Sequence, residues 1–371
     1  MDNQKTIVVS AVNLRQGGTL TILRDCLQYL SDYAKNNSVR VVAIVHKKEL
    51  NDFPGIEYIE MPHVIKSWFK RLWCEYVTFY KLSKQLQPVS LWLSLHDTTP
   101  RVIAEKQAVY CQTSFPFYKS SWQDLFFSYK IVLFSFLTRF AYRINVHQNK
   151  YLIVQQPWLR DGLSKLLGVS EEKFLVAPPE KSPVSVTPEK LVLPYYTFIY
   201  PSAPDCHKNF QVLCEAARLL EDEVGDGKFR VVLTIKGNEN DYTRWLYKKW
   251  KTVKSIDFAG FMSKEKLYGY YQVADCMVFP SKVETWGLPI SEFSYTGKPI
   301  IVSDLPYAHG TASGTKQTAF FNPDNSYQLK ELMLKALKGI YTDFKEIPLL
   351  TIKEPVAYSW KELIDKLLFE E

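Results

Sequence analysis

IVVSAVNLRQGGTLTILRDCLQYLSDYAKNNSVRVVAIV, residues 7–45, decides the fold class. Its two ends, IVVSAVNL (7–14) and VRVVAIV (39–45), are short runs of β-branched and small apolar residues. The intervening GTLTILRDCLQYLSDYAKN (18–36) repeats its apolar residues with the period of a helix. Strands that are apolar on both faces, joined by an amphipathic helix, predict parallel neighbours in a sheet covered on both sides. Working outward, LWLSL (91–95), QAVYCQ (107–112) and YLIVQQ (151–156) repeat the pattern. The stretch VAPPEKSPVSVTPEKLVLP (176–194) holds five prolines and can continue neither a helix nor a central strand. A domain boundary is therefore expected after residue 180. A second series follows, with FIYPS (198–202), FRVVLTIKG (229–237), IDFAG (256–260), CMVFPS (276–281) and PIIVSD (299–304). The expectation is two doubly wound, Rossmann-like α/β domains, 1–180 and 181–353, with ligands bound outside the carboxyl ends of the strands in a central cleft. The terminal YSWKELIDKLLFEE is amphipathic, and pattern alone does not identify its partner.

Composition narrows the function classes. The 371 residues are 46% apolar and 23% charged, which excludes a disordered chain. The start, MDNQKTIVVSAV, lacks a basic stretch followed by a long apolar run, so a cytoplasmic protein is expected. Six scattered cysteines without a C-x-x-C pair argue against a disulfide framework and a zinc site. The six histidines show no ligand spacing, so no metal and no cofactor are expected. The net charge of +7 is one-sided. Residues 1–180 carry 22 basic against 15 acidic side chains, and the remainder carries 24 of each. An acidic partner for the first half follows, either a membrane surface, a phosphorylated acceptor or nucleic acid.

The densest motif is Pro280-Ser-Lys-Val-Glu284-Thr-Trp-Gly287-Leu288-Pro-Ile-Ser-Glu292, a strand end leading into a helix. Glu284 falls in the loop, where a carboxylate can accept hydrogen bonds from hydroxyls, and Gly287 permits close backbone approach to a ligand. Glu292 falls about two turns into the helix. A helix cap with a solvated glutamate is the bland alternative. In the loop after FIYPS, Lys208 is placed to neutralise a diphosphate, or to be an ordinary surface lysine. Between the first strand and its helix, Gly17 and Gly18 allow amides to approach an anion, or make a tight turn. His96, Asp97 and Gln112 stand at strand ends and are expected to face the cleft. Gln112 can hydrogen-bond but cannot act as a general base.

Together these blocks resemble the retaining nucleotide-sugar glycosyltransferases of the GT-B fold, in the family 4 group whose E-x7-E signature is similar to Glu284–Glu292. The resemblance continues in GFMSKEKLYGYYQVADCMVFPS (260–281) and GKPIIVSDLP (297–306). It implies that Glu284 contacts the donor sugar and Glu292 the ribose. It implies further that Gly287 and Leu288 present amides to the donor, that Lys208 holds phosphate, and that Gly17, Gly18, Ser202 and Phe261 line the donor site. The family's arginine about six positions before the lysine is Ser202 here, and its frequent histidine near position 112 is Gln112. A front-face route, in which the leaving phosphate takes the acceptor's proton, does not need that histidine. The final helix, 354–371, is expected to cross back to the first domain.

The function implied is transfer of a sugar from a nucleotide diphosphate sugar, the donor substrate, to a saccharide or lipid-linked saccharide acceptor. The likeness is strongest to bacterial enzymes that build surface polysaccharide from the inner face of the membrane. A nucleotide-sugar epimerase of GT-B fold and a non-catalytic subunit of a glycosyltransferase pair are the rivals. A nucleic-acid partner would leave the two glutamates without a role. An anionic membrane is the expected partner of Ile65–Leu86, helped by the stretch Leu125–Tyr142. As one regular helix, that segment sets Lys66, Lys70, Lys81 and Lys84 within about 60°, beside an arc of about 140° with Trp68, Phe69, Trp73, Tyr76, Phe79 and Tyr80.

Overall fold

The computed structural model describes residues 5–15, 17–180 and 187–370. The chain forms two compact units, one made of 1–116, 136–181 and 352–371 and the other of 117–135 and 182–351.

The first unit is built on a seven-stranded parallel sheet: β1 (Lys5–Ala11), β2 (Val39–Val45), β3 (Ile56–Glu60), β4 (Val89–Ser94), β5 (Lys106–Tyr110), β6 (Tyr151–Val154) and β7 (Phe174–Val176), in the order β3-β2-β1-β4-β5-β6-β7. β1 is central because every residue after Lys5 is buried, so both faces need cover. Val8 pairs with Val42 on one side and Trp92 on the other. The helix Gly17–Asn36 supplies part of that cover by burying Ile22, Leu23, Cys26, Leu27 and Leu30, the one face that a period of 3.6 permits. The helix Trp360–Phe369 adds Trp360, Leu363, Ile364 and Leu367 to the same core, beside Leu91, Leu93 and Ile153. Ser359 caps it by accepting from the Glu362 amide.

The second unit has a six-stranded parallel sheet: β8 (Tyr196–Tyr200), β9 (Phe229–Leu233), β10 (Ile256–Phe258), β11 (Cys276–Phe279), β12 (Ile300–Ser303) and β13 (Thr318–Phe321), in the order β10-β9-β8-β11-β12-β13. Both orders reverse direction beside their first strand, as a doubly wound fold does. The sequence reading assigns 117–135 to the first domain, but these residues cluster with the second unit. The reason is aromatic packing: Phe127 lies against Tyr242 and Trp245 with ring centroids 5.8 and 5.3 Å away, and Tyr118 meets His207 edge-on at 6.2 Å.

The segment Ile65–Leu86 is not one regular helix. Residues Val64–Lys66 form a 3-10 turn, Trp68–Trp73 an α-helix, Cys74–Thr78 a π-turn and Phe79–Gln85 a second α-helix. The π-turn shifts the register, so the expected division into arcs does not hold. Phe79 is fully buried beside Trp92, whereas Trp68, Phe69, Leu72 and Trp73 are exposed. The helix Trp122–Ala141 is broken by non-helical angles at Ser128. Among the described residues, no helix is long and apolar enough to cross a membrane.

Candidate functional site

In the second unit the strand order reverses between β8 and β11, so a crevice is expected outside the carboxyl ends of these two strands. The loops that follow them supply Lys208 and Glu284. Asp205 leads into a short 3-10 turn, Cys206–Lys208, and Asn209 takes a left-handed conformation, φ 58°, that starts the next helix. The Asn209 amide donates to the carbonyls of Pro280 and Pro323 at 3.1 and 2.7 Å, which ties the lysine loop to the loop after β11. Tyr200 Oη donates to the Lys208 carbonyl at 2.7 Å, and the Lys282 amide donates to the His207 carbonyl at 2.8 Å. On this frame Lys208 Nζ sits 2.6 Å from Glu284 Oε1, and both side chains are 14% exposed. Burial drives the neighbouring His207 toward its neutral form, with the Lys208 charge acting in the same direction. Burial also raises the Asp205 carboxyl, against the pull of Lys208.

Gly287 has φ 96°, a conformation that L side chains rarely adopt, and it opens the short helix Leu288–Ser294. Glu292 lies in the second turn of that helix. Burial raises its carboxyl, and hydrogen bonds from Tyr268 and Tyr271 pull the other way. The Tyr271 bond measures 3.2 Å. Ser202 is fixed through its backbone: its amide donates to Thr234 Oγ1 at 2.8 Å, and that hydroxyl donates back to its carbonyl at 3.0 Å. Phe261 lies beyond the edge strand β10 and is 92% exposed. Lys208, Glu284, Gly287, Leu288 and Ser202 therefore converge on the ends of β8 and β11, and Glu292 extends this group along one helix.

In the first unit Gly17 opens its helix with φ 64°, followed by Gly18, and Gln16 lies outside the described residues. His96 differs from expectation. It is fully buried, its ring lies 6.0 Å from that of Phe79, and its Nδ1 is 3.3 Å from Glu75 Oε1. A side chain placed there packs against Phe79 and orients Glu75. Glu75 is also fully buried. It accepts from Arg71 Nε at 2.9 Å and from the Thr98 hydroxyl at 2.5 Å, while Arg71 Nη2 donates to the His96 carbonyl at 2.8 Å. Burial alone would raise the Glu75 carboxyl. His96, Arg71 and Thr98 outweigh it and hold the group down at about 2.

Between His96 and Thr98, Asp97 adopts φ 68°, and its Oδ1 accepts from the amides of Gln112 at 2.6 Å and Thr113 at 3.0 Å. The Gln112 side chain donates to the Leu95 carbonyl at 2.9 Å. The structure thus joins Asp97 and Gln112, and Asp97 acts on Gln112 through its backbone. Arg71 and Glu75 were not singled out from sequence, although Glu75 is the one acid among the aromatic and basic residues of 65–86 and this was the available signal.

Burial pushes the Asp97 carboxyl up to about 6, against the pull of Arg71 and the two amides. The raised folded value means that proton binding favours the native state, so the Asp97 contribution to stability is present at low pH and is lost as pH rises from about 4 through 6. At neutral pH the ionised carboxylate costs about 2–3 kcal/mol. Asp97→Asn, which keeps an acceptor for both amides, is expected to raise the thermal midpoint by several degrees at pH 7.5 and to add little at about pH 3, below the unfolded value. Scanning calorimetry of both proteins at the two pH values checks this, and an equal difference at both would contradict the burial argument.

Among the described residues no three His, Cys, Asp or Glu side chains are grouped to hold a metal ion.

Residues 188–344 match the family model of the glycosyl transferases group 1. The chain is similar to the O-antigen chain mannosyltransferase RfbU of Salmonella typhimurium (strain LT2), 25% identical over 190 residues that make up 50% of this chain and 51% of that protein. The match thus spans about half the length of this curated relative. The structure is similar to that of WaaG, a glycosyltransferase involved in lipopolysaccharide biosynthesis, with 15% identity, 90% of each chain covered and a TM-score of 0.65. It is similar also to Anabaena Alr3699/HepE in complex with UDP and glucose, with 12% identity, 91% and 93% covered and a TM-score of 0.61. At these identities the solved structures establish the fold, which is GT-B.

Proposed function

We propose that this chain, which carries a glycosyl transferases group 1 domain on a GT-B frame, moves a sugar from a nucleotide diphosphate sugar to a lipid-carried saccharide during assembly of bacterial surface polysaccharide. One observation carries the reading: Lys208 and Glu284, 76 positions apart in sequence, meet where the second sheet reverses its strand order, with Glu292 on the helix that follows. As the glycosidic bond breaks, negative charge gathers on the departing diphosphate, and the Lys208 ammonium is placed to stabilise it. Glu284 is placed to accept hydrogen bonds from the sugar, which fixes the reacting carbon. Glu292, oriented by Tyr268 and Tyr271, accepts from the ribose. The amides at Gly287 and Leu288 face the donor. In a front-face reaction the acceptor hydroxyl passes its proton to the leaving phosphate, so the new bond keeps the donor's anomeric configuration. The likeness to RfbU, WaaG and HepE supports a nucleotide-sugar donor and an envelope polysaccharide product.

The test is a panel of nucleotide sugars offered with lipid-linked saccharides extracted from an enterobacterial envelope, read by diphosphate release and by the anomeric proton of the product. Release that depends on the extract, with the donor's configuration retained, is expected. Conversion of the sugar without an acceptor would identify an epimerase instead. Lys208 supplies the phosphate's counter-charge in this reading, so transfer is expected to continue in EDTA. Loss of transfer in EDTA with recovery on adding manganese would contradict that role.

We propose further that the first unit docks on an anionic membrane through 66–73. Trp68, Phe69 and Trp73 are 61%, 75% and 56% exposed on one short helix, with Lys66 and Lys70 exposed beside them. Rings at headgroup depth with ammonium groups reaching anionic lipid are the pattern of an interfacial helix, each lysine contributing about 1 kcal/mol. Phe136, Leu137 and Phe140 of the same unit are exposed as well. Wild type is expected to float with phosphatidylglycerol vesicles and not with phosphatidylcholine vesicles. Flotation should fall when Trp68, Phe69 and Trp73 are changed to Ser, or when Lys66 and Lys70 are changed to Gln. Equal flotation of all three proteins would place the docking face elsewhere.

A further inference from the structure

The distance between Lys208 and Glu284 has a consequence for nucleotide selectivity. A lysine that is to hold a diphosphate is already paired with a carboxylate at 2.6 Å, in a setting where both side chains are only 14% exposed. Its charge is not reinforced by its neighbours. Position 202 is a serine, His207 is driven neutral by burial, and Lys282 is committed to Asp324 at 2.7 Å. Asp205, close enough to feel both Lys208 and Glu284, adds a second carboxyl to the same corner. The local balance is one ammonium against two acids. A diphosphate that draws Lys208 away from Glu284 leaves a partly buried carboxylate without its partner, which is costly.

We propose that Glu284 competes with the donor's diphosphate for Lys208, and that the sugar of the donor resolves the competition. This rests on the reading of the site as a donor site. The hydroxyls of the bound sugar donate to Glu284 and replace the ammonium it gives up, so the intact sugar nucleotide gains both contacts. A nucleoside diphosphate without a sugar offers Glu284 nothing in return. Once the sugar has left, Glu284 returns to Lys208 and the spent nucleotide is released. Glu284 is then a specificity determinant for donor over product, in addition to any role in orienting the sugar.

The test is titration calorimetry of UDP, GDP and inorganic pyrophosphate against wild type and variants, with folding checked by thermal midpoint. Glu284→Gln is expected to bind the preferred diphosphate about tenfold more tightly than wild type, because an amide holds the ammonium far less strongly than a carboxylate. Glu284→Asp separates competition from simple repulsion. It keeps the negative charge but is one methylene too short to hold Lys208, so it too should bind more tightly, whereas repulsion predicts no gain. In a Lys208→Met background the gain from Glu284→Gln should shrink to threefold or less. Equal affinity in wild type, Glu284→Gln and Glu284→Asp, or an undiminished gain in the Lys208→Met background, overturns the competition and leaves the donor site standing. Binding of none of the three ligands to any of these proteins overturns the donor site and the competition with it.

Discussion

Glu284→Gln is expected to transfer sugar about 10²-fold or more slowly than wild type, with the fold intact, because a carboxylate that accepts from sugar hydroxyls positions the reacting carbon and small misplacements are costly. The side chain is suited to the exchange. It lies in the loop beyond β11, and its Oε1 meets the Lys208 ammonium at 2.6 Å. The amide keeps one acceptor oxygen and the same volume, so the loss reads the charge and its hydrogen-bond geometry. The two expected effects of this variant point in opposite directions. Bare nucleoside diphosphate binds more tightly while turnover falls, a combination that simple damage to the loop does not produce. Steady-state rates set beside calorimetric affinities check it, and transfer at the wild-type rate would remove the assigned role.

Lys208→Ala is expected to weaken nucleoside diphosphate binding by about 2 kcal/mol or more, the scale for a partly desolvated phosphate that loses a charged hydrogen-bond partner. The loss is that of the ammonium–phosphate contact, since a bare diphosphate separates Glu284 from Lys208 in the wild-type complex as well. The free nucleoside carries no phosphate and should bind as before. The loop itself is held by the Tyr200 hydroxyl on the Lys208 carbonyl and by the Asn209 amide on Pro280 and Pro323, contacts that the substitution leaves in place. Calorimetry that shows equal losses for nucleoside and diphosphate would mean that Lys208 holds the loop and not the phosphate.

The legible parts of the fold are those where burial is continuous. β1, β2, β4 and β5 stand out because nearly every side chain in them is covered, so the apolar run is unbroken. β3 was not read from sequence, since IEYIE is an edge strand with its glutamates exposed and its run is interrupted. β7, three residues long beside the prolines, was too short to show. The π-turn at Cys74–Thr78 was hidden because a helical wheel assumes one period throughout, and the extra residue that turns Phe79 into the core leaves no compositional mark. Membership of 117–135 in the second unit depends on rings more than a hundred positions away, which no local window contains.

The site divides in the same way. Lys208, Glu284 and Gly287 lie in the loops that follow β8 and β11, where loop chemistry can be read directly, and Glu292 lies on the helix that follows the second of these loops. What holds them is distant in sequence: Tyr271 for Glu292, Thr234 for Ser202, Asn209 for the loop after β11. His96 was placed at a surface because it follows a strand, and the helical segment that covers it comes from residues 68–85. Arg71 and Glu75 do not stand out in the sequence, because neither burial nor the loop they tie down is visible in periodicity.

The most direct measurement is the thermal midpoint of wild type and Lys208→Ala against a panel of nucleoside diphosphates and their sugars, since a ligand that binds the native state raises stability by mass action. The account predicts that one sugar nucleotide raises the wild-type midpoint by several degrees, that its diphosphate alone raises it less, and that Lys208→Ala loses both shifts. No shift with any sugar nucleotide, or a shift that Lys208→Ala retains in full, would contradict it.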